Sequence, residues 1–217
     1  MKTKFEKAKE ILTIEDNEIK LSERCNEINI RTENALMREI INALKATIEK
    51  ENIISLSAPA IGYDKRIFCI KFKEEIKTFI NPVLSNVKGL QLSREKCTSI
   101  PGKEFILPRN NDITVTYQRP LGQIETRQVV GLSAFVFQHE LHHLDGLLIS
   151  DIGLEINDEW DKATEEEKQE IVDMYLNSLD IRSKEIEKEM QEDEELKQMS
   201  DAIDFMTSVY KGETTIE

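Results

Sequence analysis

Between Glu33 and Glu49 the apolar positions Leu36, Ile40, Ile41, Leu44 and Ile48 recur at helical spacing, uninterrupted by Gly or Pro. That recurrence predicts a long helix with one buried face. The preceding residues, 1–30, mix short apolar pieces such as 11–14 with polar runs and read as extended or irregular. After the helix the rhythm shortens. Residues 66–72, 76–84, 112–118 and 124–130 are brief and rich in β-branched and aromatic side chains. Pro82, Pro101, Pro108 and Pro120, with Gly62, Gly89, Gly102 and Gly122, lie between or beside them. This predicts a meander of short strands, several paired antiparallel.

A second helical pattern opens at Gly131, carries Leu132, Phe135, Val136, Leu141 and Leu144, and closes at Gly146. It should be a buried helix packed against the strands. Residues 158–207 are highly acidic, with sparse apolar positions at Ile171, Val172, Tyr175, Leu176 and Leu179, then Ile203, Phe205 and Met206. One or two surface helices are expected there, the first half resting on the body through Ile171, Tyr175 and Leu179. The fold class is therefore α+β: antiparallel strands around a buried helix, with an acidic helical extension at the C-terminus.

Charge sharpens that division. The 217-residue chain carries −13, but residues 151–217 hold 22 acidic and 7 basic groups, a net of −15, which leaves residues 1–150 at +2. Two segments are expected, a globular domain over 1–150 and an acidic extension over 151–217. An acidic chain with no concentrated basic stripe is a poor partner for DNA. No apolar run approaches the ~18 residues of a membrane span, and the first ten residues lack the apolar stretch of a secretory signal. The expectation is a soluble, cytoplasmic protein. Three cysteines, Cys25, Cys69 and Cys97, form no disulfide framework and suggest free thiols or a ligand.

The candidate chemistry is concentrated in one place. The chain has three histidines, and all fall within five residues: His139, His142 and His143. His139-Glu140-Leu141-His142-His143 spells H-E-x-x-H. On a helix, residues four apart share a face, so the imidazoles of His139 and His143 can hold one metal ion. Glu140 projects from a neighbouring position and can take a proton from water without ligating the metal. His142 points about 100° away; it can hydrogen-bond outward or compete with His143 as a ligand. The bland alternative is a set of surface or internally satisfied histidines, but the apolar neighbours place much of this helix in the interior.

Several residues could complete a metal site. The longer metzincin pattern would need a further His where the chain has Ile149. Glu159 or Glu165 would give a thermolysin-like set. Cys97, in a polar segment between strand-like runs, would give two His and one thiolate with an open position, which suits zinc or ferrous iron.

At these residues the sequence resembles the peptide deformylases, in three blocks and in the right order. The third block of that family, Q-H-E-x-D-H-L, is Gln138 to Leu144 here. The second, E-G-C-x-S, is Glu95-Lys96-Cys97-Thr98-Ser99. The first, G-x-G-L-A-A-x-Q, is Ile53 to Ala60. The Asn81-Pro82 and Pro108-Arg109 pairs are similar too, and the likeness spans roughly residues 8–150.

The resemblance implies that Cys97, His139 and His143 hold one divalent ion, Fe2+ or Zn2+, with Ni2+ or Co2+ as substitutes. It implies that Glu140 is the general base, that Thr98 offers its backbone N–H to an oxyanion, and that Gln138 supports the site or donates into the pocket. The implied substrates are N-formylated nascent peptides, deformylated at the initiator methionine. The departures fall elsewhere. Ala60 replaces a Gln whose amide serves the oxyanion, Ile53 and Ser55 replace glycines, Lys96 and Thr98 flank the cysteine, and His142 stands for Asp. Lys96 offers a relocated donor. Thr98 and Ser57 make the pocket more polar than the family pattern, unless their hydroxyls point away. The tail at −15 opposes docking on ribosomal RNA. Two rival readings remain: a weak or silent deformylase-like protein that binds metal or peptide, and a different metallopeptidase with an open groove.

Overall fold

The structure, a computed structural model, describes residues 6–192. Helix α1 (Ile14–Leu21) occupies a stretch expected to be irregular. Its polar run IEDNEIKL buries only Leu21, and Asn17 breaks the helical backbone, so there is little apolar periodicity to announce it. Helix α2 (Asn34–Glu51) matches the predicted long helix, with Met37, Ile40, Ile41, Leu44 and Ile48 on its buried face. It stops at Asn52, which adopts the left-handed conformation suited to a helix C-terminus.

Six strands follow: β1 (Ser55–Ser57), β2 (Ile67–Phe72), β3 (Glu75–Cys97), β4 (Ile100–Gln118), β5 (Ile124–Val130) and β6 (Leu154–Ile156). They form one antiparallel sheet in the order β1-β2-β3-β4-β5, with β6 also paired to β4. The predicted strands are present, but two of them run much further. β3 and β4 make a long hairpin whose far half, residues 85–111, lies outside the predicted strands. Positions 86–92 of β3 are exposed, so no inside–outside alternation marks them. Register shifts lie at Ile80/Val83, which takes in Pro82, at Ser85/Lys88, and at Glu95/Cys97, opposite Pro101 and Gly102. Asn81, with positive φ, fixes the first shift by bonding the backbone N–H and C=O of Ile28 and the amide oxygen of Gln118.

Helix α3 (Leu132–Leu144) packs on the sheet face that carries Phe68, Phe79, Val115 and Tyr117. Phe137 meets Phe68 and Phe79 edge-on, with ring centroids 5.5 and 4.6 Å apart, a favourable aromatic geometry. The opposite sheet face packs on α2 through Leu56, Ile67, Cys69 and Ile80. A short helix, α4 (Ile149–Ile152), precedes β6. The sheet thus takes in residues beyond 150.

The chain divides into two units between Glu159 and Trp160. The second contains the described part of α6 (Glu165–Glu192), after the short α5 (Asp158–Lys162) at the division. The expected apolar positions Ile203, Phe205 and Met206 lie outside the described residues. Among the described residues no helix is long and apolar enough to cross a membrane.

Candidate metal centre

His139 and His143 rise from the same face of α3, their ring centroids 5.0 Å apart. Cys97 reaches them from the sheet. It is the last residue of β3, paired with Ile100 across a turn formed by Thr98 and Ser99. Its Sγ lies 3.2 Å from His143 Nε2. One donor atom from each of Cys97, His139 and His143 lies within 4.8 Å of the others. Metal–ligand bonds of about 2.0–2.3 Å can span such a cluster. The two hydrogen-bond-poor atoms beside it, Glu140 Oε2 and His143 Nδ1, are buried without a hydrogen-bond partner. Buried polar atoms seldom go unpaired, so a ligand or solvent is needed to complete them. The donor set fits a divalent ion.

Second contacts orient the imidazole. His139 Nδ1 donates to Glu95 Oε2 at 2.9 Å, which leaves its Nε2 for the ion. Glu95 in turn receives two bonds from Arg109, 2.8 Å from Nε and 2.9 Å from Nη2. Arg109 Nη1 donates to His142 Nδ1 at 2.9 Å. His142 therefore bonds away from the cluster, to the same arginine that holds Glu95.

These contacts set the charges. Burial would raise the Cys97 thiol, but His143 and His139 outweigh it and hold it down at about 5. Burial opposes a charged His139, yet the partners Cys97 and Glu95 lift it to about 10. Burial likewise works against an ionised Glu95, and Arg109 and His139 pull it well below the usual carboxylate range. For His142 burial and the Arg109 charge act together and lower it to about 4. The other two cysteines stay thiols: burial pushes Cys25 and Cys69 up to about 12. All three are free.

A cleft of about 500 Å³ opens onto the cluster. Its lining includes Ile53, Leu56, Phe135 and Val136 together with Lys96, Thr98, His139, Glu140 and His143. Ala60 and Ser57 also border it. Gln138 does not. Its amide accepts from Asn110 N–H at 3.0 Å and donates to the carbonyls of Asn110 and Ala134 at 2.8 and 2.9 Å, which clamps α3 to β4. Glu159 and Glu165 are outside the cluster. Sequence reasoning passed over Glu95 and Arg109 as site residues. The available signal was spacing: Glu95 lies two residues before Cys97, and a strand sends alternate side chains to one face.

A thiolate and two helix-borne imidazoles beside a buried glutamate, set in an α+β fold, define a metal-dependent hydrolase-like site. The chain belongs to the polypeptide deformylase family, whose pattern it matches over residues 8–158. It is 33% identical to a peptide deformylase of Dictyoglomus turgidum over 147 residues, covering 67% of this chain and 93% of that one. Its fold is similar to the crystal structure of peptide deformylase from Thermotoga maritima, at TM-score 0.61 and 27% identity, over 67% of this chain and 97% of that one. A probable peptide deformylase from Synechococcus phage S-SSM7 is also similar, at TM-score 0.57 and 27% identity, over 67% and 99% of the two chains. Within the family this chain is divergent, its first and second motifs altered.

Proposed function

We propose that this protein removes the N-terminal formyl group from formyl-methionyl peptides of newly made proteins. The observation that carries the reading is the buried, unpartnered Oε2 of Glu140 beside the Cys97, His139 and His143 cluster, in the lining of a largely apolar cleft. Cys97, His139 and His143 hold the ion, Fe2+ or Zn2+, with Ni2+ or Co2+ able to replace it. When bound, that ion supplies the Lewis acidity that polarises a carbonyl oxygen and makes water nucleophilic near neutral pH. Glu140 takes the proton of the attacking water and passes it to the leaving amine. The backbone N–H of Thr98, in the turn at the cleft edge, donates to the formyl oxygen as charge develops on it. Ile53, Phe135 and Val136 enclose the methionine side chain. Gln138 acts from behind, by fixing the helix on the strand.

We assign this work to the segment expected over 1–150 together with β6, which completes its sheet, and leave the acidic extension outside it. The net −15 of that extension opposes direct contact with ribosomal RNA. Ala60 favours a second reading, a weak or silent deformylase-like binder, because the cleft wall carries a methyl group where the family motif carries an amide. One experiment separates them: anaerobic turnover of a formyl-Met peptide by protein loaded with Fe2+, Ni2+ or Zn2+, with Glu140→Ala as control. Turnover abolished by that substitution supports the enzyme. Absence of turnover with the ion bound supports the silent binder.

A further inference from the structure

Residues 12–25 carry none of the three motif blocks, yet their backbone bonds to both elements that supply the candidate ligands. Ile14 donates its N–H to the carbonyl of Ser99 at 3.0 Å. Ser99 is the second residue of the turn that follows Cys97. Further along, Cys25 donates to the carbonyl of Leu144 at 2.9 Å. Leu144 is the last residue of α3 and directly follows His143. Between these two bonds lies α1, whose Leu21 is buried in one cluster with Cys97, Ile100 and Leu148, against which Leu12 and Ile14 also pack. A third bond, from Leu12 N–H to the carbonyl of Ala60 at 2.8 Å, ties the same segment to a residue that lines the cleft.

Both ligand-bearing elements need such a tie. The β3–β4 register shifts between Glu95 and Cys97, so the ladder is irregular where the thiolate must be placed. Ser99 lies in the turn, outside the ladder pairs. Leu144 belongs to the end of a helix, where carbonyls lack intrahelical donors. Local structure leaves both acceptors open, and one continuous stretch of chain fills both, with Arg66 Nη1 as a second donor to Leu144 at 3.1 Å.

We propose that Leu12–Cys25 is a positioning clasp for the metal centre, which fixes the turn after Cys97 relative to the end of α3 and so sets the spacing of Cys97 from His143. This rests on the reading above only in that Cys97, His139 and His143 hold an ion. Donors already held at their working spacing bind without the cost of ordering the chain. The coupling is mutual: a clasp that favours the ion is itself favoured by the ion.

Ile14→Pro removes the N–H that bonds Ser99. Ile14 is the first residue of α1, a position that tolerates proline, and Thr13, at φ −112° and ψ 158°, already has the backbone favoured before proline. Ile14→Ala loses the side chain but keeps the N–H, so the pair isolates the bond. Three quantities are read: Zn2+ affinity by chelator competition, the thiolate-to-metal absorption of the Co2+-loaded protein, and thermal unfolding of the metal-free protein. Ile14→Pro should bind Zn2+ about tenfold or more weakly than Ile14→Ala, the scale of losing support behind a ligand. Its Co2+–thiolate band should shift or weaken, while that of Ile14→Ala matches wild type. Equal affinities and superimposable spectra would overturn the inference, whatever the change in Tm. If Ile14→Pro does not fold, amide exchange in wild type decides: Zn2+ should slow exchange at Ile14 and Cys25 as much as at Cys97, and unchanged rates there would overturn the clasp. Wild type that binds neither Zn2+ nor Co2+ overturns the clasp and the metal reading together. Wild type that binds both but turns over no formyl peptide overturns the deformylase reading alone, and the affinities still decide the clasp.

Discussion

Arg109 grips Glu95 by two parallel bonds of 2.8 and 2.9 Å, in a place where the arginine side chain is 1% exposed and the glutamate 10%. The fork geometry suits a carboxylate and fixes both of its oxygens. One of those oxygens, Oε2, also holds His139 Nδ1. The sheet thereby reaches a helix-borne imidazole of the candidate metal centre through a charged pair that water does not screen.

Removing Arg109 should therefore damage both stability and ion binding. Arg109→Leu leaves Glu95 charged and uncompensated in the interior, which costs about 3–5 kcal/mol when a buried pair is broken. Metal affinity should fall about 10–100-fold, the usual effect of losing support behind a ligating imidazole. Urea denaturation and chelator competition measure the two. Arg109→Lys should restore little, because an ammonium cannot make both bonds at once.

Cys97 should be the first thiol to react in metal-free protein. Held at about 5, it is a thiolate at pH 7, whereas Cys25 and Cys69, near 12, remain protonated. Thiolates are the reactive form. Brief iodoacetamide treatment at pH 7, read by peptide mass spectrometry, should label Cys97 alone, and loading with Zn2+ should protect it. Labelling at Cys25 before Cys97 would contradict this assignment of charge.

The metal-free protein should have a flat stability optimum from about pH 6.5 to pH 9. Between pH 5 and 6.5 the unfolded chain protonates both Cys97 and His139, while the folded pair keeps one proton. Stability therefore rises with pH, and His142, depressed to about 4, adds to the rise in the same range. From 6.5 to 9 the folded thiolate–imidazolium pair and the unfolded thiol and neutral imidazole hold equal numbers of protons, and the slope vanishes. Above 9 the folded chain retains protons on His139, Cys25 and Cys69 that the unfolded chain releases, so stability declines. Glu95 extends the acid limb below 4.5, its contribution lost as it protonates. Each uncompensated proton tilts the curve by about 1.36 kcal/mol per pH unit. Urea midpoints from pH 4 to 10 should trace this profile.

Gly146→Ala should destabilise the end of α3. Gly146 has φ +72°, and an added Cβ would run into the backbone carbonyl of Ser22. Backbone strain of this kind costs about 1–3 kcal/mol before the clash is counted. Differential scanning calorimetry should show a lower Tm, whereas Gly122→Ala, whose Cβ would meet nothing within 4 Å, should lose only the conformational part.

The site was more legible in the sequence than the sheet was. The H-e-x-x-h spacing of His139, Glu140 and His143 is local, and helical geometry alone brings those groups together. Cys97 was recognisable through the motif around it, but its route to the helix was not, because the strand that carries it has exposed residues through much of its length. Burial writes the alternation that sequence reasoning reads, and residues 88–92 are held in the ladder with little burial. Pro101 and Pro108, read as turn markers, sit inside β4. Helix α1 was missed for a related reason: it buries one residue. Gln138 was legible as a motif residue, while its role as a clamp depends on Asn110, 28 positions away.

The position of Cys97 at the tip of the β3–β4 hairpin has a mechanical meaning. Its partner His143 lies 46 residues later in the chain. An ion shared between them is a removable rivet that closes a long loop, and closing a loop takes disorder away from the unfolded chain. Chelation should then loosen the hairpin tip before the helix melts, visible as faster amide exchange at Cys97 through Ile100 than across His139 to His143.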